Sequence, residues 1–476
     1  MRKLLNVRIG AACLGLAMSV TACGAGGHSI KEATASDIQN SREEQNPQEA
    51  AGTQNADRIR EQVLAEMTDD QKNWMGGLSK EQRMADFESL CDGLRENYPY
   101  LKLAKRQAGA DLDALETEYR VSVEACANDD AFYYVLKEFV GEFSLIGHLE
   151  LWGRRYESEL ASLREIAKEP EWRAHFEPYI DALDNPVSQN TYASMTKYYR
   201  EAALLEEEKL AAENGGASGE SAEAAGETAV EEAIPANVET KILEPGKIAY
   251  VSIGKFDHEQ MENDRKILLP FYESVKDYDN LIIDITENPG GSMQYFNELV
   301  ASPLTKETLT VPGYQFFKDG ENNKTFLRVE EGTASGLYQP VSKLSTIPGL
   351  ELEDIEECDW FLREDYTIEP AGAGFDGKIW LLVSESNYSS SEYAAMFSKA
   401  SGFATLVGRN TSGDGIGTDP AYLILPNSGL VVQYSPMYGV TADGTGSEEC
   451  GTEPDIVSPD GESALETCLK CIEQEM

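Results

Sequence analysis

The chain has 476 residues, with 84 acidic against 40 basic side chains and a formal net charge of −44. So acidic a surface repels nucleic acid and anionic lipid headgroups, which excludes both as charge-recognised partners. Eight cysteines over this length are too sparse for a disulfide scaffold, and Cys468-x-x-Cys471 has no second such motif to complete a zinc site.

In chain order, the basic Arg2, Lys3 and Arg8 precede an apolar run from Ile9 to Val20. That run is too short to span a bilayer and reads as a secretory signal. It ends Val20-Thr21-Ala22-Cys23-Gly24, the form of a bacterial lipobox. Residues 1–22 are therefore a lipoprotein signal peptide by this reading, and Cys23 is the lipidation site. The predicted location is the extracytoplasmic face of the cell membrane, reached through that lipid only. The other reading is an ordinary secretory signal with a chance cysteine. Residues 23–66 are polar and aperiodic, as a flexible tether is.

Residues 67–155 read as a small N-terminal helical domain. Ser79-Lys80-Glu81-Gln82 has the form of a capping box, and Met84, Phe87, Leu90, Cys91 and Leu94 share one face before Tyr98-Pro99. Residues 156–212 continue as charged helix, and 213–235 form an acidic low-complexity linker. From 236 to 465 the pattern turns to α/β. Ile248-Ala-Tyr-Val-Ser-Ile253, Leu281-Ile-Ile-Asp-Ile285 and Ile379-Trp-Leu-Leu-Val383 are short β-branched runs bounded by turn residues, as buried strands of a sheet are. Leu423-Ile-Leu425 and Leu430-Val-Val432 flank a turn and predict a hairpin. Residues 466–476 complete a C-terminal helix.

Local signals within the α/β part bear on chemistry. Asn288-Pro-Gly-Gly291 ends a strand, where glycines let the chain expose backbone N–H groups. Ser389-Ser-Ser-Glu392 follows another strand, where a serine sits beside the N–H groups of a helix start. Ser389 is either a nucleophile or a helix cap on these grounds alone. Val407-Gly-Arg-Asn-Thr411 and Gly451-Thr-Glu-Pro-Asp455 come later. This ordered series resembles the peptidase family that joins the C-terminal processing (tail-specific) proteases and the tricorn core protease. The resemblance covers roughly 245–460 and extends more weakly to Leu145-Ile-Gly-His148.

The resemblance implies a ClpP/crotonase-like α/β peptidase core and a serine peptidase acting on peptide or protein substrates. It implies Ser389 as nucleophile, with oxyanion donors at Ser390 and at Gly290 or Gly291. It implies no metal and no organic cofactor. Processing proteases place a catalytic Lys in a Gly-Lys-Gly turn, where this chain has Gly413-Asp414-Gly415. A carboxylate of ordinary pKa is too weak a base for a serine hydroxyl. The tricorn-like pattern instead implies His148 as base with Glu448 as its supporting carboxylate, although Gly147 replaces the serine of that pattern. His148 is either that base or a structural histidine, and His258 is the second candidate. Asp414 binds substrate or caps a turn. The family's Arg is replaced by Thr286, and 155–245 shows no peptide-binding PDZ module. A catalytically inactive relative binding peptide or a small ligand in the same cleft is the alternative reading. Nothing in the sequence speaks to oligomeric state.

Overall fold

The computed structural model describes residue 59, residues 62–213 and residues 237–475. The signal peptide, Cys23, most of the tether and most of the low-complexity linker lie outside the described residues. Among the described residues no helix is long and apolar enough to cross a membrane.

In the helical half, after a short helical turn at Asp69–Lys72, comes α1 (Lys80–Asn97), capped by Ser79, whose hydroxyl accepts from the Gln82 N–H while the Gln82 side chain returns to the Ser79 N–H. Two amphipathic helices follow, α2 (Leu112–Ala125) and α3 (Asp129–Gly141), then β1 (Glu150–Leu151). Three more helices complete this half: α4 (Tyr156–Ile166), α5 (Pro170–Leu183) and α6 (Pro186–Glu213).

The sheet strands are β2 (Val238–Glu244), β3 (Ile248–Ile253) and β4 (Asn280–Asp284), with α7 (Met261–Val275) crossing between the last two. After β5 (Leu309–Phe317), β6 (Gln339–Pro340) and β7 (Trp360–Ile368) comes β8 (Lys378–Val383). It is followed by α8 (Ser390–Ser401) and β9 (Thr405–Gly408). The chain closes with β10 (Ala421–Ile424), β11 (Val431–Tyr434), β12 (Tyr438–Thr441), β13 (Ile456–Val457) and α9 (Ala464–Glu475).

The main sheet has six strands in the order β13-β9-β8-β4-β3-β2, parallel except for β2 at one edge. The three apolar runs read from the sequence are its central strands β3, β4 and β8. Their side chains alternate between two cores, as period two requires. Ala249, Val251 and Ile253 face one core with Leu268 of α7 and Phe397 of α8. Ile248 and Tyr250 face the other, which α9 closes with Cys468 and Ile472. The predicted hairpin is present as β10 and β11, antiparallel.

The helical half has no core of its own: Phe87, Leu136 and Tyr192 share one cluster with Tyr422, Val431 and Tyr434 of the hairpin. β1 even pairs with β11, Leu151 opposite Val432, which stitches the two halves into one sheet. Ile59 and Val63, within the segment read as a tether, are buried in that same cluster. Burying such side chains is worth about 1.5–3 kcal/mol each, enough to hold the segment down.

Candidate active site

β4 and β8 are adjacent and parallel, so the turns at their carboxyl ends meet, which is where ligands bind in open α/β sheets. The turn after β4 carries Gly290 and Gly291 at φ 114° and 131°. A Cβ on Gly290 would lie 2.7 Å from the Tyr388 carbonyl, and one on Gly291 would lie 2.2 Å from the Phe256 carbonyl. Only glycine fits both positions. Ser389 stands at the foot of α8 with φ 58° and ψ −123°, a conformation costly for a side chain that has a Cβ. Its own side chain makes no capping hydrogen bond to the helix. Ser391, in the first turn of α8, ties the helix start to the turn before it: its hydroxyl accepts from Tyr388 N–H at 3.0 Å and donates to the Asn288 carbonyl at 2.8 Å.

The expected oxyanion donors separate. The Gly290 N–H is taken by Asn288 Oδ1 at 2.9 Å. Gly291 N–H and Ser390 N–H have no acceptor among the described residues, and Ser390 Oγ donates to the Gly291 carbonyl at 2.5 Å. Those two N–H groups are thus held side by side and left unspent.

His148 arrives from the other half, on the short turn Ile146–His148 that leads into β1. Its Nδ1 lies 2.6 Å from Asp414 Oδ2 and 3.0 Å from Ser435 Oγ. Against a carboxylate at that distance Nδ1 carries the proton, which leaves the Nε2 lone pair free. The imidazole packs on the Tyr388 ring with centroids 4.8 Å apart. Ser389, His148, Asp414, Gly290, Gly291 and Ser390 line one cleft. The Ser389 hydroxyl is not hydrogen-bonded to His148 in this state. Ser389, His148 and Asp414 account for three of the six non-glycine residues with positive φ among the described residues. Such strain gathers at sites where the surroundings over-determine the backbone.

The carboxylate behind the imidazole is therefore Asp414, where the sequence pointed to Glu448. Glu448 accepts from Gly147 N–H at 2.9 Å and from the Tyr388 hydroxyl at 3.1 Å, and makes no hydrogen bond or ion pair with His148. Burial and the nearby Asp414 charge push its carboxyl well above the usual carboxylate range. Asp414 is braced by Tyr100 Oη at 3.3 Å and Ser435 Oγ at 3.2 Å. Gly147, which departs from the tricorn-like serine, has φ 54°, and the Tyr100 ring sits 2.5 Å from where a Cβ would be. A serine does not fit there.

His258, the second candidate base, does not line the cleft, and burial lowers its pKa. His175 pairs with Asp419 at 2.8 Å on the cleft's edge. His28 lies outside the described residues, as does Cys23. Among the described residues no cluster of His, Cys, Asp and Glu could hold a metal, and the six cysteines there are free thiols.

The motifs read along the sequence are joined by hydrogen bonds. Thr452 Oγ1 donates to buried Glu392 at 2.5 Å, and Thr452 N–H donates to Thr411 Oγ1 at 2.7 Å. Asp455 accepts from Leu406 N–H at 2.9 Å. The ends of three separated motifs thus clamp the start of α8, and with it Ser389.

A family model for peptidase family S41 matches residues 247–458, and one for the tricorn protease C1 domain matches residues 79–141. The α/β part of the chain, residues 247–458, is thus a peptidase family S41 region. Among solved structures, this chain is similar to mature CPAF complexed with lactacystin, at 15% identity and a TM-score of 0.47, over 83% of this chain and 97% of that one. A lipoprotein from Streptococcus agalactiae matches at 13% identity and a TM-score of 0.42, over 83% of this chain and 97% of that one. The photosystem II D1 C-terminal processing protease matches at 16% identity and a TM-score of 0.32, over 50% of this chain and 52% of that one. No curated protein sequence matches the chain. Against the processing-protease pattern of S41, its departure is the acid at 414 in place of the lysine.

Proposed function

We propose that the protein is a serine peptidase with a Ser389, His148, Asp414 triad, held by a lipid on Cys23 at the extracytoplasmic face of the membrane. The observation that carries the reading is the His148–Asp414 pair at 2.6 Å, set in the cleft that holds Ser389. A carboxylate on Nδ1 fixes the tautomer in which Nε2 accepts a proton. Ser389 Oγ attacks the peptide carbonyl, its proton passes to Nε2, and the developing oxyanion meets Gly291 N–H and Ser390 N–H. His148 then returns the proton to the leaving amine, and water repeats the sequence on the acyl-enzyme. Glu448 and Tyr388 hold the turn and the ring in place from behind. The acid at 414 is thus a partner of the base and no substitute for the missing lysine.

The unbonded Ser389 hydroxyl favours a second reading, a relative that binds peptide in the same cleft without cleaving it. Catalytic hydrogen bonds in ligand-free enzymes are often long and tighten on substrate, which keeps the first reading ahead. Incubation with casein and a quenched peptide library separates the two. Cleavage by the wild-type protein that is lost in Ser389→Ala supports the peptidase. Equal silence from both, each shown folded by circular dichroism, favours the binding protein.

A further inference from the structure

The main sheet ends at β2, and among the described residues no strand pairs with its outer side. Its inner side is fixed by β3. Gly254 N–H donates to the Asn237 carbonyl at 2.9 Å, one step beyond the facing pair Val238 and Ile253. In an antiparallel ladder such bonded pairs alternate with unbonded ones. Glu239 and Lys241 therefore turn their N–H and C=O groups to β3, and Val238, Thr240 and Ile242 turn theirs outward. A row of outward N–H and C=O groups is a template for another strand.

The side chains along this edge decide which strand fits. Glu239 and Lys241 lie on the sheet face closed by α9, ion-paired at 2.7 Å, with the Lys241 ammonium over the Tyr250 ring. Val238, Thr240 and Ile242 alternate onto the face that α7 covers, where Ile242 is exposed and α7 leaves Ile267 exposed as well. Charge alone protects a free edge, and a lysine by itself does that. Here the charges also complement themselves. When two β2 strands pair antiparallel about a two-fold axis through Thr240, Glu239 of each copy faces Lys241 of the other. The same axis sets Thr240 against Thr240 and Val238 against Ile242, a β-branched pair of the kind that stabilises neighbouring strands. It also brings the outward N–H and C=O groups of all three residues into bonding positions. Moving the axis to Glu239 or to Lys241 puts like charges face to face, which is destabilising.

Acids outnumber bases 84 to 40 in the chain, so most of its surface repels a second copy. Along β2 and the turn after it, Glu239, Lys241, Glu244 and Lys247 alternate in sign, and the edge is locally neutral. We propose that β2 is the interface for a second copy of this chain. The two β2 strands pair antiparallel about Thr240, and the two main sheets join into one across a two-fold axis. None of these positions lines the Ser389 cleft, so the proposal stands or falls apart from the peptidase reading.

The test follows the full chain, in a density-matched detergent, by sedimentation velocity from about 1 to about 100 µM. Wild type is expected to reach a dimer within that range. Glu239→Lys and Lys241→Glu each turn both facing charge pairs repulsive, and each is expected to weaken dimerisation roughly tenfold or more. Mixed in equal amounts, the two variants again set lysines against glutamates, and a mixed dimer is expected, identified by differently coloured labels. That recovery also shows both variants to be folded. Thr240→Pro removes an outward N–H and leaves the bonds to β3 in place. It is expected to sediment as a monomer with an unchanged circular dichroism spectrum, and where it fails to fold the charge exchange alone decides. A wild type that stays monomeric, its edge left to a strand of some other protein, overturns the proposal. So does a dimer that survives folded Thr240→Pro or the single reversals, or a loss that mixing the two reversals does not undo.

Discussion

At the scale of single residues, the question is which acid serves His148. Asp414→Asn keeps the shape of the side chain but lets Nδ1 meet an amide, so the wrong tautomer is stabilised. A fall in kcat of about 10³–10⁴ with KM little changed is expected from steady-state kinetics. Glu448→Gln is expected to cost less than about tenfold, because the wild-type carboxyl is already pushed toward its neutral form and Gln still accepts from Gly147. The reverse ranking would return the supporting role to Glu448. The place of Ser389 between a strand and a helix, in the cleft, was legible from sequence because the residues that set it are its neighbours: the strand before, the helix after, the glutamate three places on. The pairing of Asp414 with His148 was not legible. Its partner His148 lies in the other half of the chain, and the pairing depends on positive φ at both residues, which no local residue pattern announces. Gly147 was visible as a departure but not as a necessity, since the Tyr100 ring that forbids a side chain there is distant in sequence.

At the scale of elements, the site depends on two halves staying in register. Strands β3, β4 and β8 were readable because parallel strands buried on both faces show as unbroken apolar runs. The sharing of one core by helices and hairpin was not, because amphipathic helices announce that they bury a face and not what they bury it against. The clearest tie is Asp86 of α1, wholly buried, whose carboxylate accepts from Asn427 N–H at 2.8 Å, Asn427 Nδ2 at 2.9 Å and Ser428 N–H at 2.7 Å. It pins the β10–β11 turn to the helical half, and β11 in turn pairs with the strand that follows His148. Asp86→Ala leaves those buried N–H groups without an acceptor. A loss of about 3 kcal/mol in unfolding free energy is expected, read from the urea midpoint at unchanged m value. An unchanged midpoint would mean that the halves are held by apolar packing alone.

At the scale of the whole molecule, buried carboxyl groups set how stability varies with pH. Burial pushes Glu392 and Glu159 up to about 7, from ordinary values near 4.5. Their protons are bound more tightly in the folded state than in the unfolded one. Each therefore contributes stability that is full below pH 4.5 and is lost progressively as pH rises to about 7. For Glu392, which is fully buried and ties Thr452 to the start of α8, the loss is on the order of 2–3 kcal/mol. The net charge of −44 works in the same direction, because ionising surface acids adds self-repulsion. Salt distinguishes the two causes. About 0.5 M sodium chloride shortens the screening length to a few ångströms and suppresses repulsion between exposed charges, but reaches buried groups far less. Glu392→Gln supplies a neutral side chain of the same shape at every pH. Urea midpoints measured from pH 5 to pH 8 are thus expected to fall for the wild type in high salt as well as low. They are expected to fall less steeply for Glu392→Gln in both. A wild-type slope that vanishes in salt, or a variant whose slope matches the wild type, would place the pH dependence on the surface and leave Glu392 outside it.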